Sequence, residues 1–287
     1  MAKTWFTEKH TETVHFSIEV DKVLYEGQSK YQKIGVYESK EWGRFFSLDG
    51  YLMVTEKDEF IYHEMIVHVP MAVNPKINNV LVIGAGDGGT IRELCRYSSL
   101  ESIDMVEIDE EVVTISKRYF PTLNTGFDDP RVHLYFEDGV KFVQNADKHY
   151  DLIIIDSTDP FSVGEGLFTQ SFYENCRSIL STNGILVNQH ESPFYPHYQA
   201  AMKKAHQRLK ETFPIAEVYQ AFIPSYASGH WLFGFASNTL NPISDHQSEI
   251  WESYGLKTRY YNSKLHEASF VLPNYVQKAL EGNNTHD

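Results

Sequence analysis

The sequence predicts an α/β protein in which a small N-terminal antiparallel β domain precedes a doubly wound parallel sheet. Three observations predict it. Residues 14–54 break into short β-prone segments around an Asp-Gly turn signal. Beyond residue 79, short apolar runs alternate with helical stretches. The first of those runs, "VLVIGAGDGGT" at 80–90, turns through glycines into a helix start.

The N-terminal strands read as "VHFSIEV", "KVLYEG", "KIGVYES" and "RFFSLDGYLMV", the last folded on itself at Asp49-Gly50. "TEKDEFIYHEMIVHVPMA" (55–72) opens on Thr55 with acids in its first turn. It spaces Phe60, Ile61, Met65 and Val69 as one helical face, which predicts a helix ending near Pro70. The polar "NPKINN" (74–79) marks the boundary, so residues 1–75 form the β domain with its connecting helix and 76–287 the Rossmann-like domain. Strands follow at 80–83, 102–108, 132–136, 151–155 and 185–189. Helices are expected from about Thr90, at 110–119, from about Gly139 and around 171–180. An amphipathic helix (198–213) and two strands, "AEVYQAFI" and "HWLFGFAS", complete the sheet with an antiparallel edge.

Composition narrows the function. A chain of 287 residues, 42% hydrophobic and 14% aromatic, buries a sizeable core, and no apolar run approaches the roughly 20 residues of a membrane span. The charged "MAKTWFTEKH" does not read as a signal peptide, which predicts a cytoplasmic protein. Cys95 and Cys176 are far apart in helical segments and read as buried thiols. The 13 histidines fall in no ligand spacing, so no metal is expected. A net charge of −14 argues against a nucleic-acid partner and is compatible with cationic small substrates, though acidity also serves solubility alone.

In open α/β sheets the ligand lies beyond the carboxyl ends of the strands. Here each of the first four parallel strands finishes with carboxylates: Asp87 in the glycine loop, Glu107 and Asp109, Glu137 and Asp138 before Gly139, and Asp156 with Asp159. Singly, such residues serve as helix caps or turns. Jointly they crowd negative charge into one crevice, which a cationic or hydroxyl-rich ligand would balance. Gly84, Gly86 and Gly89 also match GxGxxG, with Glu107 where a ribose-binding acid stands. Asp87 argues against a dinucleotide, because a carboxylate at a helix N-terminus repels a pyrophosphate and attracts a sulfonium or ammonium. Glu107 then reads as the ribose partner, and Asp138 with Gly139 as the adenine edge.

With "EKDEFIYHEM" (56–65), "VLVIGAGDGG", "MVEID", "EDG", "DLIIIDSTDP", "EGLFT" and "YQAFIPSYASG", the chain resembles the spermidine synthases across essentially its whole length. The resemblance implies a methyltransferase-type sheet, a cytoplasmic aminopropyltransferase, and decarboxylated S-adenosylmethionine as co-substrate with no other cofactor. It further implies putrescine as acceptor and a homodimer or homotetramer. Carried over, it places Gln32, Glu107, Asp138 and Gly139 around methylthioadenosine, Asp87 and Tyr62 near the amines, and His63 in the site. Asp156 becomes the base, Asp159 its polyamine-binding neighbour, Tyr226 the closure of the diamine pocket, and Gln189 a further contact. Ser162 and Val163 depart from the family pattern in the loop over the nucleoside, which bears on acceptor choice. An S-adenosylmethionine-dependent methyltransferase and a non-catalytic polyamine sensor remain the alternatives. The Asp87, Asp156 and Asp159 set argues against the first, and Asp156 with Tyr62 against the second.

Overall fold

Alternation of inward and outward side chains over the first fifty residues builds two small antiparallel sheets. The structure, a computed structural model, describes residues 3–157 and 164–281. Strands β1 (Thr4–Lys9) and β2 (His15–Val20) pair as a ribbon. Strands β3 (Lys22–Gln28), β4 (Lys33–Ser39), β5 (Gly43–Leu48) and β6 (Tyr51–Thr55) form a four-stranded meander. Asp49 and Gly50 join the last two with φ of 51° and 86°, the left-handed pair that a two-residue hairpin requires. Strand β1 escaped the hydrophobic pattern because its inward positions are Phe6 and Glu8, one of them charged.

Helix α1 (Glu59–Val73) continues through Pro70, where a stop was expected, and residues 61–73 are all buried. Pro70 lies one turn from the C-terminus, so its missing N–H deletes a single bond, and Asn74 N closes the last turn onto the Pro70 carbonyl. A helix covered on every side must find partners for its polar side chains, and Glu64 accepts from Arg259 N, Tyr260 N and Tyr261 N while His68 pairs with Tyr97. Its apolar side chains join the core that also holds Val80, Val82, Leu152, Ile154, Ile185 and Val187.

The alternating grammar continues as β7 (Asn79–Gly84), α2 (Gly89–Cys95), β8 (Ser102–Glu107), α3 (Glu110–Tyr119), β9 (Val132–Phe136), α4 (Gly139–Asn145) and β10 (Tyr150–Asp156). After a short 3-10 turn at Glu165–Phe168 come α5 (Gln170–Ser178), β11 (Leu180–Gln189), α6 (Pro196–Thr212), β12 (Ile215–Phe222) and β13 (His230–Ser237). Three short helices, α7 (Ser248–Ser253), α8 (Ser263–Ser269) and α9 (Asn274–Leu280), were not foreseen.

The large sheet has the order β12-β13-β11-β10-β7-β8-β9; β7 to β11 run parallel, and β13 is antiparallel to both its neighbours. The winding reverses between β7 and β10, where Gly84 pairs with Asp156. A second core covers the opposite face, built on Leu81, Ile83, Ile153, Ile155 and Leu186 with Phe172 and Cys176 of α5. The four-stranded sheet packs on α3 through Ile34, Val36, Phe46 and Leu48 against Val112, Ile115 and Phe120. That contact brings the β3–β4 turn to the reversal point. Among the described residues no helix is long and apolar enough to cross a membrane.

Candidate active site

The strand ends open into one cavity at the reversal point. It is lined by Gln32, Tyr62, Asp87, Glu107, Asp138, Gly139, Asp156, Gln189 and Tyr226, with Phe46, Leu48, Ile83, Leu167 and Trp231 among its apolar walls. Of the expected site residues, His63 does not line it, and Asp159 lies outside the described residues, as do Ser162 and Val163.

The glycine loop owes its shape to a close approach. Gly84 has φ of 89°, and a Cβ there would overlap the Asp156 carbonyl oxygen, which accepts from Ala85 N at 2.8 Å. Ala85 itself takes φ of 65°, unusual for a residue with a Cβ. Asp87 then turns back on its own helix, accepting from Gly89 N at 2.7 Å, while His63 Nε2 stands 3.3 Å from the same oxygen. Burial works against the Asp87 charge, but the imidazole beside it holds the carboxyl below its usual range.

Asp156 closes β10 with both oxygens engaged. Tyr62 donates to Oδ1 at 2.7 Å and Thr90 donates to Oδ2 at 2.6 Å. Burial, reinforced by the neighbouring Asp87 charge, raises its pKa. Burial and then the Asp156 carboxylate push the Tyr62 phenol well up, so it stays a donor. Two acids side by side thus shift in opposite directions, a pattern that divides roles between like groups.

On the other side of the cavity Glu107 is buried, accepts from Asp109 N at 2.9 Å, and is pushed up to about 7, first by burial and further by Asp109. Asp138 is both a cap and a wall: Oδ1 accepts from Val140 N at 2.9 Å and Lys141 N at 3.4 Å at the start of α4. Asp109 caps α3 and receives Ser29 Oγ at 2.6 Å and Gln32 Nε2 at 3.0 Å, pinning the β3–β4 turn over the cavity. Gln189 is buried and locked to Glu191, donating through Nε2 at 3.0 Å. Tyr226 donates to the Met53 carbonyl at 2.6 Å, tying the 223–229 turn to β6.

Sequence reasoning missed two groups at the wall or next to it. Thr90, at the second position of α2, read only as a helix start. Glu8 of β1 reaches the cavity, with Oε2 accepting from Leu52 N at 2.7 Å and Oε1 3.1 Å from His10 Nε2. An acidic residue in a strand with no hydrophobic alternation left no signal of its own. Among the described residues no group of three His, Cys, Asp or Glu side chains is placed to hold a metal ion.

Residues 59–246 match the spermine/spermidine synthase domain, and residues 4–56 match the spermidine synthase tetramerisation domain. This chain belongs to the spermine/spermidine synthase family. It is an aminopropyltransferase, 64% identical to the polyamine aminopropyltransferase of Alkaliphilus oremlandii over 96% of this chain and 98% of that one. The Clostridium perfringens (strain ATCC 13124) protein of the same name is 61% identical over the same shares. Among solved structures, a spermidine synthase in complex with the transition state analogue AdoDATO superposes with a TM-score of 0.94 at 40% identity, covering 97% of this chain and 95% of that one. The spermidine synthase of Thermotoga maritima gives 0.91 at 39% identity, covering 97% and 94%.

Proposed function

We propose that this chain transfers the aminopropyl group of decarboxylated S-adenosylmethionine to putrescine, giving spermidine and 5'-methylthioadenosine, with no cofactor beyond that co-substrate. The observation that carries the reading is Asp87: an ionised carboxylate at the cavity wall, in a loop whose backbone otherwise suits anions. A donor tail bearing only cationic groups fits there, and a tail carrying its own carboxylate does not. Glu107, Gln32, Asp138 and Gly139 would hold the nucleoside, with the ribose hydroxyls donating to Glu107. Asp159 is proposed on the family resemblance alone, as a polyamine contact.

In the reaction, a neutral amine nitrogen of putrescine attacks the methylene carbon beside the sulfonium. Before the attack, while the sulfonium is still in place, the putrescine ammonium gives one proton to Asp156; the C–S bond then breaks with its electron pair going to sulfur, and the new nitrogen leaves as a secondary ammonium. An ordinary alkylamine and carboxylate differ by about 6.5 pKa units, so direct transfer would be uphill by about 9 kcal/mol. The site narrows that gap from both ends. Burial and Asp87 raise Asp156, and a nearby sulfonium with desolvation lowers the ammonium. Tyr62 and Thr90 each occupy one lone pair of an Asp156 oxygen and so leave acceptor capacity for the amine. Alignment supplies the rest, up to roughly 7–11 kcal/mol in well-oriented systems.

The far ammonium of putrescine needs an anchor, and Glu8 supports that role, being a carboxylate on the cavity wall in company with Leu52, Met53, Tyr226 and Trp231. His63 acts through Asp87 in this reading. Trp5 and Val23, 53% and 51% exposed on the N-terminal sheets, support assembly through that unit as a homodimer or homotetramer. Purified protein given putrescine and either decarboxylated or ordinary S-adenosylmethionine tests the reaction. Spermidine and methylthioadenosine from the decarboxylated donor alone are expected. S-adenosylhomocysteine from the ordinary donor would mean methyl transfer and overturn the reading.

A further inference from the structure

Asp87 ends a chain of four charged side chains, and it alone of the four lines the cavity. Arg92 grips Glu59 with both ends of its fork, Nη1 to Oε1 at 3.0 Å and Nη2 to Oε2 at 2.9 Å. Glu59 Oε2 lies 2.7 Å from His63 Nδ1, and His63 Nε2 lies 3.3 Å from Asp87 Oδ1. The i,i+4 spacing puts Glu59 and His63 on one face of α1. Gly89 lets the ring lie against the start of α2, since a Cβ at that position would overlap it.

This geometry dictates a protonation state. A neutral imidazole has one donor and one acceptor nitrogen, and here both nitrogens face carboxylate oxygens. A neutral ring would set a lone pair against one of them; the imidazolium satisfies both. The signs then alternate along Arg92, Glu59, His63 and Asp87, and Arg92 is further paired through Nε with Glu93 at 3.0 Å, so each of these largely buried charges has an opposite neighbour.

We propose that Glu59 and Arg92 are positioning residues which hold His63 in its doubly protonated form, so that Asp87 meets the donor's ammonium ionised and fixed in direction. The proposal rests on the donor assigned above. Its second support is electrostatic. Burial lowers the His63 pKa, but Asp87 and then Glu59 outweigh it and carry the ring up to about 10. The other groups facing the ring are Tyr62, its ring near perpendicular with centroids 5.4 Å apart, Asp156 from the end of β10, and Arg92 beyond Glu59.

The test combines a titration with kinetics. With 15N-labelled histidine, the His63 imidazole, assigned by its loss in His63→Asn, is followed by NMR from pH 6 to 9.5 in the wild type and in Glu59→Gln. The wild-type ring is expected to stay cationic to about pH 9, and the variant ring to titrate about two units lower than the wild type. For Glu59→Gln, kcat/KM for the donor relative to wild type is expected to fall about tenfold between pH 6.5 and 9, the scale of coupling within one charge network. The loss should appear in KM with kcat nearly unchanged, and Arg92→Lys, which keeps the cation without the fork, should fall between. A wild-type His63 that is neutral below pH 8 overturns the proposal, as does a variant-to-wild-type ratio that stays level across the range. The titration needs no turnover, so failure to make spermidine would refute the reaction without deciding the charge chain.

Discussion

Asp87→Asn should change which donor the protein prefers. In the wild type the carboxylate is fixed by Gly89 N at 2.7 Å and by His63 at 3.3 Å, and its side chain is only 17% exposed. A donor carboxylate brought to about 4 Å from it at an effective dielectric near 20 meets a repulsion of about 4 kcal/mol. Allowing for residual solvent, about 3–4 kcal/mol corresponds to a hundred- to a thousandfold preference for the decarboxylated donor. The amide removes that repulsion and also weakens the hold on the ammonium of the proper donor, so the ratio collapses from both sides. Calorimetric Kd values for ordinary and decarboxylated S-adenosylmethionine, on wild type and Asp87→Asn, supply the ratio directly. A wild-type preference that survives the substitution would refute the idea that this charge selects the donor.

Four further outcomes follow from the same geometry. Asp156→Asn should lower kcat by about 10²–10⁴, the usual contribution of a positioned base, while leaving donor Kd within a few fold; stopped-time product assays and calorimetry check this. Gly84→Ala should destabilise by at least about 1–3 kcal/mol, because its Cβ would strike backbone at φ of 89°, and thermal unfolding measures it. Glu107 is raised to about 7, so its carboxylate forms only as pH rises through that value, and only then can both of its oxygens accept from a ribose as charged acceptors. Methylthioadenosine affinity should therefore strengthen between pH 6 and 8 in the wild type and stay level in Glu107→Gln. The same shift has a stability sign: between about pH 4.5 and 7 the folded apoprotein keeps a proton that the unfolded chain has released, so this group's contribution is lost as pH rises across that window. Glu8→Gln should raise KM for putrescine about tenfold, the loss of one charge-assisted contact, and leave the donor KM unchanged in initial-rate assays.

Much of the cavity was legible because a parallel sheet sends all its strand ends to one edge. Asp87, Glu107, Asp138 and Asp156 could be placed together once the alternation of apolar runs and helices was read, since topology alone brings them there. Asp138 shows why reading the residues one at a time was ambiguous: it caps α4 and lines the cavity with the same side chain. Helix α1 was read as amphipathic with a stop at Pro70, yet it is buried on every side and runs on to Val73. Spacing within a segment reports one face, whereas burial of the other depends on what the rest of the chain lays over it.

The sequence by itself determined the order of the strands and longer helices from β2 to β13 and which chemistry-bearing side chains would stand at the strand ends. Both follow from local periodicity, glycine placement and a topological rule that needs no coordinates. Only the tertiary structure decided that Thr90 faces Asp156, that Glu8 crosses from β1 to the Leu52 amide and the cavity, and that Arg92 and Glu59 stand behind His63. Those contacts join residues separated by 66, 44 and 33 positions along the chain. Their energies come from the relative placement of separate elements, which no periodicity within one element encodes.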